Sequence, residues 1–162
     1  MALRPGLLAG TLSALALGTV ACRQPSSLEL QWAGADSGRA MLHAAGARCG
    51  TAVRLIATLG DTGVEFILYP NGERLQPGDY PVLAAADARD TRPGAAAAAR
   101  WLDSTSVVGL RGAKGTIRVT EGEPMLGGEF RLTARRDGNQ AEYTLAGRFH
   151  RVPVGACPDS AG

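Results

Sequence analysis

The chain has 162 residues, of which 45% are hydrophobic, 20% charged and 5% aromatic, with 22 glycines and 9 prolines. That is material for one globular domain: too apolar for a disordered chain, and without the periodic glycine of a collagen. The formal charge of +2 and the lack of any long basic run argue against a nucleic-acid partner.

The first 22 residues, MALRPGLLAGTLSALALGTVAC, read as an address. Arg4 supplies a positive start, and Pro5 to Ala21 is an uncharged, mostly apolar run. Its 17 residues fall short of the length a stable membrane span needs. A positive start, a short apolar stretch and small residues at its end are the parts of a secretory signal. Thr19-Val20-Ala21-Cys22 resembles the lipobox of bacterial lipoproteins, with Thr19 where that family usually has Leu. The resemblance implies cleavage before Cys22, acyl chains on its thiol and new amino group, and hence a membrane as partner through a lipid anchor. Arg23 after the cysteine implies the outer membrane of a bacterial envelope. Cleavage by an ordinary signal peptidase near Ala21 and a retained membrane helix are the alternatives. The reading divides the chain into a signal peptide (1–21), an acylated cysteine and tether (22–27) and a single β domain (28–162). The tether, Arg23-Gln24-Pro25-Ser26-Ser27 after the cysteine, is polar and contains proline.

With Cys22 carrying lipid, Cys49 and Cys157 remain as an even pair in an oxidising compartment, and one disulfide is expected. By chain-entropy arguments such a long loop contributes about 4–5 kcal/mol, as an upper figure. The alternative is a metal site of Cys49, Cys157, His43 and His150, whose His-x5-Cys and His-x6-Cys spacings match no usual zinc pattern. Neither a metal nor a cofactor is expected.

In chain order, strands are expected at Leu28–Trp32 and Gly38–His43. Val53, Leu55, Ala57 and Leu59 then alternate with Ala52, Arg54, Ile56 and Thr58, a two-residue period with one apolar face. Gly60-Asp61-Thr62-Gly63 is a hairpin loop into the alternation of Val64, Phe66 and Leu68. Turns follow at Tyr69-Pro70-Asn71-Gly72 and Gln76-Pro77-Gly78-Asp79, before Tyr80–Leu83. Ala84–Arg100, AAADARDTRPGAAAAAR, reads as a long connection with at most one helical turn, because Pro93-Gly94 breaks the alanine run. Strands resume around Trp101, at Val107–Leu110, at Gly115–Thr120, along Phe130, Leu132 and Ala134, and, after a turn at Asp137-Gly138, along Tyr143, Leu145, Gly147 and Phe149. Eight to ten short strands define an all-β antiparallel sandwich or flattened barrel.

GTIRVT at 115–120, LGGEF at 126–130 and LAGRF at 145–149 are similar to the C-terminal hairpins of a group of bacterial envelope lipoproteins, with Gly115, Ile117, Val119, Leu126, Gly128, Phe130, Leu145, Gly147 and Phe149 as the carriers. GDTGV at 60–64 and LQPGDYPV at 75–82 also look like that group. The resemblance implies the fold and the location but no reaction.

No nucleophile elbow, P-loop or zinc-protease motif occurs. His150 falls on the solvent face of its strand, and His43 ends a strand without a recognisable partner. Glu121 and Glu123 form either a solvated turn or a pair able to take a cation or a sugar. Asp61, Asp79 and Asp137 are turn formers. Trp32 and Trp101 are weak candidates for stacking on a sugar or an apolar ligand, and otherwise anchor the core. The expected function is that of a non-enzymatic, membrane-anchored binding or interaction module, able to dock an envelope protein. The alternatives are a lipocalin-like carrier of a small apolar ligand and an envelope-polymer hydrolase using Glu121, Glu123 or His150.

Overall fold

A computed structural model describes residues 25–104, 106–136, 138 and 141–158. Arg4, the apolar run, Cys22 and Asp137 lie outside the described residues. The described chain forms β1 (Ser27–Ala33), β2 (Ser37–Cys49), β3 (Ala52–Leu59), β4 (Thr62–Tyr69), β5 (Gly78–Pro81), α1 (Ala85–Asp90), β6 (Gly94–Asp103), β7 (Ser106–Glu121), β8 (Met125–Arg136) and β9 (Glu142–Ala156).

The two-residue period explains what these strands do together. Val53, Leu55 and Ala57 on β3, Val64, Phe66 and Leu68 on β4, and Tyr143, Leu145 and Phe149 on β9 are all buried in one cluster. Their alternate neighbours face water. Eight strands close into an antiparallel barrel in the order β1-β2-β3-β4-β6-β7-β8-β9, with β9 returning to β1. Eight is the strand number at which side chains just fill a barrel, and Phe66 and Phe130 meet edge to face at its middle, 4.8 Å apart. Closure also removes the open sheet edges that a sandwich would have to protect. The ninth strand, β5, fills the wall where β6 and β7 part: Gly78 to Pro81 pair with Val119 to Thr116, and Val82 bridges to Ala95.

The h-x-G-x-F repeats acquire a packing reason. Gly128 on β8 lies opposite Phe149 on β9, and Phe130 lies opposite Gly147. Each ring therefore covers the partner strand's glycine. A Cβ on Gly128 would sit 2.6 Å from the Phe149 ring, and one on Gly147 would sit 1.8 Å from the backbone oxygen of Glu29. The motif is an interlock between two strands.

The outer wall carries cross-strand ion pairs: Glu29 with Arg148 at 2.9 Å, Asp79 with Arg118 at 2.8 Å, Glu142 with Arg135 at 3.1 Å, and Glu65 with Arg54. Hydrogen bonds from Gln31 and Arg148 hold the Glu29 carboxyl below its ordinary value. Charge outside and hydrocarbon inside is the reverse of a bilayer-spanning barrel. No helix among the described residues is long and apolar enough to cross a membrane.

Three local expectations need correction. Ala84–Arg100 is not a connection: α1 occupies 85–90 and the alanine run is strand β6. Tertiary pairing overrides alanine's helix preference here, since Leu68, Ile67 and Phe66 on β4 bond to Ala95, Ala96 and Ala97. The strand with His43 does not end there but runs to Cys49, because β3 continues to pair with it. Val107–Leu110 and Gly115–Thr120 are one strand, β7, carrying a register shift between Gly112 and Lys114.

Candidate functional site

The barrel has two unlike ends. At one, Cys49 closing β2 and Cys157 following β9 form a disulfide with their Cα atoms 4.9 Å apart. The segment between β4 and β5 crosses this end and buries Leu75 completely in the core. Glu123, in the β7–β8 turn, holds that segment: it accepts from the Leu75 backbone N–H at 2.6 Å and from Arg48 Nε at 2.9 Å. A second Arg48 nitrogen, Nη2, also donates to it. These bonds, Arg48 first, hold the Glu123 carboxyl below its ordinary value. Glu121 and Glu123 are therefore not a like-charged solvated pair: Glu121 is exposed, while the Glu123 side chain is only 9% exposed and already paired. Three hydrogen bonds tie this carboxylate to structural partners.

At the other end the structure brings the two tryptophans together. Trp32 on β1 and Trp101 on β6 stack with centroids 4.8 Å apart, and Tyr143 on β9 meets Trp101 edge-on at 5.5 Å. The Trp32 ring lies over its cross-strand partner Gly38, where a Cβ would approach to 2.3 Å. Trp101 Nε1–H donates to Asp36 Oδ2 at 2.9 Å. Burial first, and the Asp36 carboxylate second, push the Tyr143 phenol above its ordinary value. Two polar atoms here are buried without a hydrogen-bond partner: Trp32 Nε1 and Asp36 Oδ1. Trp101 is 2% exposed, so its faces belong to the core, while Trp32 is half-buried.

His43 and His150 both flank Ser27 in the register of β2, β1 and β9, and both are exposed on the outer wall. The two cysteines of the metal alternative are bonded to each other. Among the described residues, no three His, Cys, Asp or Glu side chains gather as a metal site would require.

Sequence reasoning missed a groove of about 780 Å³ on the outer wall across β3, β4, β6 and β7, beside the start of α1. Ile56 and Ile67 are half-buried along it, and Ala96 and Ala98 line it. Alanine on β6 and glycine at 63 and 109 leave the floor low between larger neighbours. Arg54 and Glu65, paired with each other, lie on one side, and Arg100 and Arg111 on the other. The signal was present in AAAAAR at 95–100, once that run is placed on a strand rather than in a loop.

No family model, curated protein or solved structure matches the chain. The class rests on the fold alone: a small all-β domain, a closed eight-stranded antiparallel barrel with one extra strand, following an N-terminal stretch. The disulfide points to an extracytoplasmic, oxidising location.

Proposed function

We propose that the protein is a lipoprotein of a bacterial envelope, anchored through acyl chains on Cys22, whose barrel is a non-enzymatic binding module. The observation that carries the reading is the disulfide. It uses two of the three cysteines and leaves Cys22, at the end of the apolar run, as the third. The described chain begins at Pro25, and β1 runs from the disulfide end towards the aromatic end. An anchor just upstream would therefore hold the disulfide end nearer the membrane and present the wall and the aromatic end beyond it. The lipobox resemblance and Arg23 favour the outer membrane. For the binding role, support comes from a core packed with side chains and from the commitment of Glu123 to Arg48 and Leu75.

The test is metabolic labelling of the full chain with an alkynyl fatty acid, followed by membrane fractionation. Label and membrane partition should both disappear in Cys22→Ser, while the Cys49–Cys157 bond persists. Unlabelled wild-type protein, released as a soluble chain beginning at Cys22 or nearby, would overturn the anchor.

A further inference from the structure

We propose that the outer groove binds the anion of a long-chain fatty acid, with its hydrocarbon along the isoleucine–alanine floor and its carboxylate at Arg100. The proposal gives a ligand class to the binding module of the preceding section, and it does not depend on the anchor at Cys22.

The groove's volume of about 780 Å³ falls within the range of small-molecule sites. Its floor is largely hydrocarbon: Ile56 and Ile67 stand half-buried on β3 and β4, the methyl groups of Ala96 and Ala98 follow one another along β6, and Glu65, paired with Arg54, lies between Ile56 and Ala98. From Ala96 to Arg100 the strand advances about 13 Å, room for roughly ten extended carbons, and Leu83 to Ala86 continue the apolar lining beyond for the rest of the chain. One ion pair, Arg54 with Glu65, crosses the groove, and the remaining lining between it and Arg100 is small or aliphatic.

Charge fixes the kind of amphiphile. Arg100 has Gly63 and Gly109 as its cross-strand neighbours, so neither adjoining strand offers it a side chain. Its stem passes over Gly63, with Cγ 3.9 Å from where a Cβ would stand. Arg111, opposite Ala98, adds positive charge midway along the groove. Glu65 is the acidic residue lining the groove, and Arg54 already neutralises it. A largely apolar trough with the Arg100 guanidinium at one end complements one hydrocarbon chain bearing one anion, and a guanidinium fits a carboxylate with paired hydrogen bonds. A free fatty acid is favoured over a lipid held in a bilayer. The floor lies between α1 and the charged Arg54 and Arg111 side chains, a width that suits one chain.

The experiment uses the full chain in the intact producing cells, exposed to palmitic acid carrying a photoactivatable diazirine near its methyl end. After irradiation, peptides are mapped by mass spectrometry. Adducts are expected on the β3, β4 and β6 segments that line the groove. Ala98 is exposed, so Ala98→Trp fills the trough without entering the core, and it should reduce those adducts by about tenfold. Arg100→Glu should reduce them several-fold and Arg100→Lys much less. The corresponding alcohol probe should label several-fold more weakly than the acid. Retention of the Cys49–Cys157 bond checks that each variant is folded. Adducts unchanged in Ala98→Trp, spread evenly around the wall as for a bilayer contact, or replaced by cross-links to a second copy or to residues 1–24 would each overturn the proposal. The same labelling in Cys22→Ser separates the two readings. Groove adducts that persist there leave this inference standing whatever the anchor does, and their loss from the wild-type chain leaves the anchor untouched.

Discussion

The two ends of the barrel are held by opposite means. At the disulfide end a covalent bond, a paired carboxylate and a buried leucine tie together four segments that are remote in sequence: the end of β2, the β4–β5 segment, the β7–β8 turn and the chain after β9. Every polar atom of Glu123 named above has a partner. At the aromatic end three rings and one carboxylate do the work, and two buried polar atoms are left without partners. An unmet buried donor or acceptor costs about 1–3 kcal/mol. The first end is thus held by polar ties between segments, whereas the second relies on contact between rings and leaves the Trp32 indole N–H without a partner. A barrel whose termini and crossing segment gather at one end concentrates its ties there. At the other end one hairpin turn, that of Asp36, reaches across to a remote strand, through Trp101 on β6.

The comparison breaks most visibly at the disulfide. Replacing Cys49 and Cys157 by serine should lower unfolding free energy by about 4 kcal/mol, since the loop spans most of the domain. Equilibrium denaturation of the double variant, beside the wild type with and without reductant, measures it. Glu123→Ala follows, at about 2–3 kcal/mol, because it leaves Arg48 and the Leu75 N–H unpaired at a site where the side chains are 26% and 9% exposed. The effect should depend on pH. The folded carboxyl is lowered from the ordinary value of 4.5, so its contribution is complete above that value. As pH falls below 4.5 and through the lower folded value, the contribution is lost. Wild type and Glu123→Ala should converge in acid. A constant gap between them down to strongly acidic pH would mean that Glu123 acts by shape rather than by charge.

Strand positions were readable because alternation is local: Val53, Leu55 and Ala57, or Phe130, Leu132 and Ala134, declare their buried face within five residues. Closure was not readable. Sandwich and barrel share the same period, and only the pairing of β1 with β9 and of β7 with β8 distinguishes them. The disulfide followed from counting cysteines, a long-range inference that needed no geometry. Glu123 could not be assigned, since its partner Arg48 lies 75 residues away and charge alone does not name a partner. Alanines 95–99 misled because their intrinsic preference is helical, while the slot between β4 and β7 dictates a strand. That error concealed the groove, whose depth comes from those same small side chains. Trp32 and Trp101 were picked out by size, but their contact depends on the closed wall.

Smaller effects sharpen the picture of the aromatic end. Trp101→Phe removes the donor to Asp36 Oδ2 and should cost about 1–3 kcal/mol, less than the disulfide, with the rings otherwise retained.

Trp32→Phe is the most discriminating change and the smallest expected effect. It deletes indole surface from a half-buried ring, which destabilises, and it also deletes a buried N–H that has no partner, which stabilises. The two terms oppose each other, so stability should stay within about 1 kcal/mol of the wild type. Asp36→Asn tests the other unmet atom while keeping an acceptor for Trp101. If Trp32 Nε1 and Asp36 Oδ1 are separate costs, the double variant should show additive changes within about 0.5 kcal/mol. A coupling above about 1 kcal/mol would mean that one bound water or ligand hydroxyl bridges the indole donor to the carboxylate. In that event both atoms are satisfied, and the aromatic end is held by a polar link like that of its opposite.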